Sequence, residues 1–277
     1  MLKKDDSNHF LGSTARWTAA VRAMESMRED RLFNDPWAAV LAGGEGREWL
    51  AKRPADSSLP IVVRTRYFDD FLLLTSARNQ IRQIILMAAG LDTRAFRLNW
   101  PAGTTLFELD RPEVLNDKEE ILGSLGVHPT CERVGIRADL TQSWGDILTK
   151  SGFNPQELSC WLLEGFLFYL PNEAILRIID EVSSLAAPGS WLGFDIINSA
   201  MLTSSWTRPW IDMQSQSGAP WIGTLDEPEE TLASRGWNAS LTQAGQPDAS
   251  FGRWSLPVFP IKAPDMPHNW FVTAQKE

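Results

Sequence analysis

The chain has 277 residues, 43% of them hydrophobic, and sets 26 Lys and Arg against 35 Asp and Glu, a formal net charge of −9. That length and apolar content are enough to bury a sizeable core, in one large α/β domain or two small ones, and exclude disorder over most of the chain. An acidic surface repels phosphate backbones and anionic lipids, which argues against nucleic-acid or membrane partners.

The N-terminus lacks a basic start followed by an apolar h-region, and no stretch reaches the roughly 20 apolar residues that span a bilayer, so a cytoplasmic location is expected. Cys131 and Cys160 stand in no CxxC and near no histidine at metal spacing, and are read as reduced thiols. The first 80 residues read as a helical cap. "STARWTAAVRAMESMRED" has Ser13 and Thr14 as capping candidates ahead of apolar residues at helical spacing. "DPWAAVLAGGEGREWLAKRP" reads as two short helices broken at Gly43 and Gly44, and "VVRTRYFDDFLLLTSARN" as a third.

From about residue 81 the pattern changes to short apolar strands alternating with amphipathic stretches. "QIILMAAG", "TLFELD", "ERVGIRADL", "SCWLLEGFLFYL" and "SWLGFDII" read as five strands, separated by segments such as "RPEVLNDKEEILGSL" and "NEAILRIIDEVSSLAAPGS". Such alternation predicts a parallel sheet covered on both faces. Residues 198–235, rich in Ser, Thr, Trp and Pro, read as a lid insertion, and "NASLTQAG" and "NWFVTAQKE" as a closing pair of antiparallel edge strands. The whole is read as a single domain: cap 1–80, core 81–197, insertion 198–235 and strand pair 236–277. Thirteen tryptophans stand against two tyrosines. Their first role is packing, with the walls of a pocket for a flat apolar substrate as the alternative.

Ligands of open α/β sheets bind at the carboxyl ends of the strands. The first strand delivers Ala88, Ala89, Gly90 and Asp92 there, the second Glu108 and Asp110, the third Asp139 and Leu140, and the fourth Glu164. Small residues at the first turn admit a ligand close to the backbone, and a carboxylate ending the second strand can accept both hydroxyls of a ribose. An Asp after the third strand can accept from an adenine amino group while the next Leu covers the ring. Asp92 also precedes "TRAFRL", where it serves as a helix cap. The turn reads "AAGLDT", not GxGxxG, so no pyrophosphate cradle is present and S-adenosylmethionine is favoured over NAD.

The blocks "STARWTAAVRAMES", "RLFNDPWA", "RTRYFDDFL", "AAGLDTRAFRL", "FELDRPEVLNDK", "RADL", "LLEGFLFYLP", "FGRWSLPVFP" and "NWFVTA", in order from Ser13 to Ala274, resemble the bacterial branch of the leucine carboxyl methyltransferase family. That branch also includes polyketide O-methyltransferases. The resemblance implies a class I methyltransferase fold: α/β, with a doubly wound, Rossmann-like seven-stranded sheet, a helical N-terminal cap and a lid insertion. It also implies S-adenosylmethionine as cofactor, S-adenosylhomocysteine as product, and cofactor contacts at Arg64, Gly90, Asp110, Asp139, Leu140 and Glu164. Arg64 is the residue implied to meet the methionine carboxylate, with Arg66 in competition because helix register is open. Ala88 stands where the family's usual "GAG" has its first glycine.

A carboxylate acceptor is already ionised at neutral pH, whereas a phenol or alcohol needs a base. No base is evident: His9, His128 and His268 are scattered, no metal-ligating cluster is visible, and Tyr169 and Glu164 are base candidates by location alone. The expectation is O-methylation of a carboxyl or acidic hydroxyl on a small secondary metabolite, with Arg16, Arg22 or Arg208 as attractors of an anionic acceptor. The cap and residues 206–221 are expected to close over it. The alternatives are a nicotinamide-dependent oxidoreductase and a non-catalytic cofactor-binding subunit. The acceptor and the oligomeric state stay open.

Overall fold

The protein is seen in a computed structural model that describes residues 4–277, with side chains described at position 12 and from 14 onward. Three helices lead: α1 (Lys4–Ser26), α2 (Ala38–Ala51) and α3 (Leu59–Arg78). Helix α1 begins well before the expected cap, so Ser13 and Thr14 lie inside it; the side chains of Ser13 and His9 fall outside the described residues. Helix α2 breaks at Gly43 alone, where φ is 60° and ψ −160°, a conformation closed to most L residues. Helix α3 starts with Pro60 in its first turn and buries Ile61, Thr65, Phe68, Leu72 and Ser76, a stripe at three- and four-residue spacing.

The remainder alternates as read: β1 (Gln83–Met87), α4 (Arg94–Arg97), β2 (Thr105–Asp110), α5 (Pro112–Ser124), β3 (Glu132–Arg137), α6 (Gly145–Lys150), β4 (Ser159–Leu163), α7 (Asn172–Leu185) and β5 (Trp191–Ile197). The 198–235 segment carries α8 (Ser199–Thr203), α9 (Arg208–Gln216) and α10 (Pro228–Ala233), and β6 (Trp237–Gln243) and β7 (Asn269–Lys276) finish the chain. The strands form one seven-stranded sheet in the order β3-β2-β1-β4-β5-β7-β6. Strands β1 to β5 pair in parallel, and β7 runs antiparallel between β5 and the edge strand β6.

Strands β1 and β4 are buried along their whole length, because helices cover both faces. Successive side chains of β1 point to opposite layers. Ile84 and Leu86 meet Val63, Phe68 and Leu72 of α3, while Ile85 and Met87 join Trp144, Trp161, Ile178 and Val182 on the α6 and α7 side. Truncating the fully buried Phe68 or Trp161 to alanine costs about 3–5 kcal/mol. Trp17, Trp144, Trp161, Trp237 and Trp270 are buried and act in packing. The order of connections reverses at β1, with β2 on one side and β4 on the other, which leaves a crevice at the carboxyl ends of these strands.

Candidate active site

A cavity of about 410 Å³ occupies that crevice. Its floor is the ends of β1 to β4. Thr14, Ala15, Thr18 and Arg22 of α1 and Ile61, Arg64 and Thr65 of α3 enclose it from the cap, with Phe166, Tyr169 and Leu170 beyond β4. No histidine, lysine or cysteine lines it among the described residues.

The turn after β1 is built by backbone geometry. Ala88 and Gly90 have φ of 51° and 52°, in the left-handed region. For Ala88 this is a strained conformation for an L residue, so the turn keeps the glycine-type geometry although the glycine is missing. The Gly90 amide donates to Asp110 Oδ2 at 2.6 Å, and the Arg111 amide donates to Oδ1 at 2.7 Å. A carboxylate has roughly four acceptor sites, so Asp110 keeps capacity for ligand hydroxyls at the cavity wall. Burial raises its pKa, against the lowering effect of the two amides.

On the other side lies a buried ion network. Arg64 donates from Nε to Glu164 at 2.9 Å and from Nη1 to Asp195 at 2.7 Å, and the Gly165 amide donates to the second Asp195 oxygen at 2.6 Å. Glu164 also meets Arg94 Nη2 at 2.7 Å, and Arg94 Nε donates to Asp69 at 2.7 Å. Arg97 grips both Asp69 oxygens at 2.6 and 2.7 Å. Burial opposes ionisation of Glu164, but Arg94 and Arg64 prevail and lower its pKa. Such a network is stiff, because removing one partner strands a buried charge at a cost of about 3–5 kcal/mol.

Helix register settles the placement of the two competing arginines: Arg64 faces the cavity, while Arg66 pairs with Asp70 at 2.8 Å and with the Leu32 carbonyl at 2.9 Å, away from it. Gly90, Asp110, Asp139, Leu140 and Glu164 all line the same cavity, brought together from four strand ends. Asp139 Oδ1 also accepts from the Thr141 amide at 2.9 Å. Asp92 caps the turn into α4, accepting from the Arg94 amide at 2.6 Å, and burial is overcome by Arg94 to bring its pKa down to about 2.

Several expectations need correction. Glu108 does not reach the cavity; it is fully buried between strands and helix, with Lys118 at 2.8 Å and Arg133 at 2.6 Å. It lies two residues inside β2, on the same face as Asp110 but short of the strand end, and its charge is taken up there by Lys118 and Arg133. No residue of 198–235 lines the cavity; that segment packs on the cap through Trp210, 6.2 Å from Trp17, and Trp221 lies 4.4 Å from Phe168. None of the tryptophans lines the cavity either. Of the anion attractors, Arg22 borders the cavity but donates to Asp35 at 2.9 Å and to the Leu91 carbonyl at 2.6 Å. Arg16 is held by Asp117 at 2.5 Å, and Arg208 is exposed on α9.

Asp195 and Gly165 went unread in the sequence. A signal existed for the first: an aspartate inside the otherwise apolar run "WLGFDII" is a charge that must find a buried partner. For the second, φ of 67° and a would-be Cβ 2.9 Å from Arg64 Nη2 make glycine the residue that fits.

The donor set fits a nucleoside bearing an amino-acid tail. A close-approach turn at Gly90 stands beside a carboxylate with spare lone pairs, a second carboxylate and an apolar cover follow at Asp139 and Leu140, and an arginine–carboxylate pair closes the far end. The sequence model of the leucine carboxyl methyltransferase family matches residues 15–183. A protein from a Parafrankia species, named as a candidate S-adenosyl-L-methionine-dependent methyltransferase, is 44% identical over 196 residues, which cover 67% of this chain and 63% of that protein. Another of the same name from Mycolicibacterium gilvum is 36% identical over 253 residues, 83% of this chain and 84% of its own length. A crystal structure of a candidate methyltransferase from Thermobifida fusca superposes with a TM-score of 0.60 at 16% identity, covering 95% of this chain and 94% of that one, a likeness of fold.

Proposed function

The chain belongs to the leucine carboxyl methyltransferase family, and on that premise we propose that it moves a methyl group onto an oxygen of a small acceptor, a carboxylate or an acidic hydroxyl. It is a methyltransferase that depends on S-adenosylmethionine. When bound, that cofactor supplies a methyl carbon activated by the positive sulfur beside it. Arg64 would meet the methionine carboxylate and Asp110 the ribose hydroxyls. Asp139 would take the adenine amino group and Leu140 one face of the ring. Glu164 turns toward the same space while fixing the Arg64 fork.

The observation that supports an already ionised acceptor is that, among the described residues, no histidine, lysine or cysteine lines the cavity, and neither Glu164 nor Tyr169 there is suited to take a proton. Glu164 is held in its charged form between two arginines. Burial raises the pKa of the Tyr169 phenol, so it too does not accept a proton at neutral pH. An acceptor that brings its own anionic oxygen needs positioning and exclusion of water more than proton transfer. The residues around the cavity would hold such an acceptor oxygen in line with the methyl group that the bound cofactor would supply.

Calorimetric titration with S-adenosylmethionine, S-adenosylhomocysteine and NAD, followed by methyl-transfer assays on paired small carboxylic acids and matched alcohols, tests this reading. Binding of the first two ligands and product from the acids is expected. Heat from NAD alone, or turnover confined to unactivated alcohols, would overturn it.

A further inference from the structure

We propose that Arg53 anchors a carboxylate of the acceptor, whose apolar body then lies along the aromatic side chains between the cap and the 198–235 segment; this rests on the methyltransferase reading above. Arg53 follows α2, and its guanidinium carbon sits 4.0 Å from the Trp17 ring centre, 5.3 Å from that of Trp49 and 5.9 Å from that of Trp210. Its polar contact is Nη2 to the Ser217 hydroxyl at 3.4 Å, and Nη1 is buried with no hydrogen-bond partner.

The contrast with four other arginines of the cap and core carries the argument. Arg22, Arg64, Arg94 and Arg97 each hold a carboxylate within 2.9 Å, whereas among the described residues no Asp or Glu forms an ion pair with Arg53. Aromatic faces attract a cation but offer no lone pairs, so they leave the Nη1 hydrogens unsatisfied. One more buried polar group close by lacks a partner: the indole N–H of Trp17, the ring that the guanidinium covers. A carboxylate supplies what this site is short of, a negative charge and acceptor oxygens in the plane that guanidinium favours.

The position relative to the cavity gives the anchor its use. Trp210 lies 6.0 Å from Trp221, Trp221 4.4 Å from Phe168 and Phe168 4.8 Å from Tyr169, whose side chain borders the cavity. A line of packed aromatic side chains, with Phe168 itself buried, thus links the guanidinium to Tyr169 at the cavity wall. An acid with a flat or apolar body can be gripped at one end and directed toward the methyl donor at the other.

The test uses the full chain loaded with S-adenosylhomocysteine, titrated with phenylacetate and with its uncharged isostere phenylacetamide, read by ligand-observed NMR and by tryptophan fluorescence. Phenylacetate is expected to bind at least about tenfold more tightly than the amide. Arg53→Gln should erase that preference, and Ser217→Asp, which places a carboxylate beside Nη2 and keeps Arg53, should erase it as well. S-adenosylhomocysteine affinity should stay unchanged in both variants. Equal binding of acid and amide, a preference that survives in both variants, or no phenylacetate binding at millimolar concentration would overturn the proposal. Should Arg53→Gln fail to fold, Ser217→Asp alone decides. A wild-type chain that binds no S-adenosylhomocysteine would defeat the methyltransferase reading instead, and the acid–amide comparison on the free chain still judges Arg53.

Discussion

The Gly90 amide donates to the Asp110 carboxylate at 2.6 Å, tying the end of β2 to the turn that follows β1. One side chain thereby fixes the turn and presents its remaining lone pairs to the cavity. Asp110→Ala removes both roles. S-adenosylhomocysteine affinity should fall by at least about tenfold and stability by about 1–3 kcal/mol, since the Gly90 and Arg111 amides lose their acceptor. Calorimetry and a urea titration measure the two effects, and unchanged affinity would remove Asp110 from the cofactor site.

Ala88 holds φ of 51° where glycine would rest without strain. A left-handed L residue costs roughly 1–2 kcal/mol, and glycine gives back roughly 0.5–1 kcal/mol through its freer unfolded chain. Ala88→Gly should therefore stabilise the protein by up to about 1 kcal/mol, a rise in Tm of roughly 2–4 °C. A lower Tm in calorimetry would mean that the Ala88 methyl contributes more by packing than the strain costs.

Gly165 lets the Arg64 guanidinium lie against the backbone, and an added Cβ would come 2.9 Å from Nη2 and 3.2 Å from Nη1. With φ of 67°, alanine there also costs roughly 1–2 kcal/mol of strain. Gly165→Ala should raise KM for S-adenosylmethionine by about tenfold or more by displacing Arg64 from Glu164 and Asp195, with the far-UV circular dichroism unchanged. Steady-state kinetics at saturating acceptor separate this from a simple loss of folded protein, which would lower kcat at constant KM.

The acid limb of stability has a defined source. Burial works against the Asp92 carboxylate, but Arg94 and the cations around it hold its pKa at about 2, below the ordinary 3.8. Its contribution is complete above the ordinary value and is lost as pH falls through about 2, a loss of about 2 kcal/mol. Glu164, also lowered, adds in the same direction. Asp110 and Asp195, both raised, oppose it as they take up protons at higher pH. Urea midpoints measured from pH 5 to pH 2 should fall more steeply for the wild type than for Asp92→Asn; parallel curves would assign the acid limb elsewhere.

Much of this protein is local in origin. Five apolar strands, their helices and the closing strand pair follow from short-range periodicity, and the carboxylates at the strand ends follow because every parallel strand points the same way. Residues from Gly90 to Glu164 therefore fall on one cavity without any knowledge of packing. What the pattern could not carry is direction on a helix and pairing across distance. Which of Arg64 and Arg66 faces the cavity turned on two residues of helical rotation, about 200°, which packing of α3 on the sheet decides. Glu108 and Asp195 both sit in apolar strands, yet the partners around them send one to Lys118 and the other to Arg64. Arg53 is the extreme case. In the sequence it is one basic residue before a proline; only the meeting of α1, α2 and α9 surrounds it with indoles and leaves its charge without a carboxylate among the described residues. Strand and helix are set by neighbours along the chain, but a buried charge is matched in three dimensions, because Coulomb attraction and desolvation depend on distance in space.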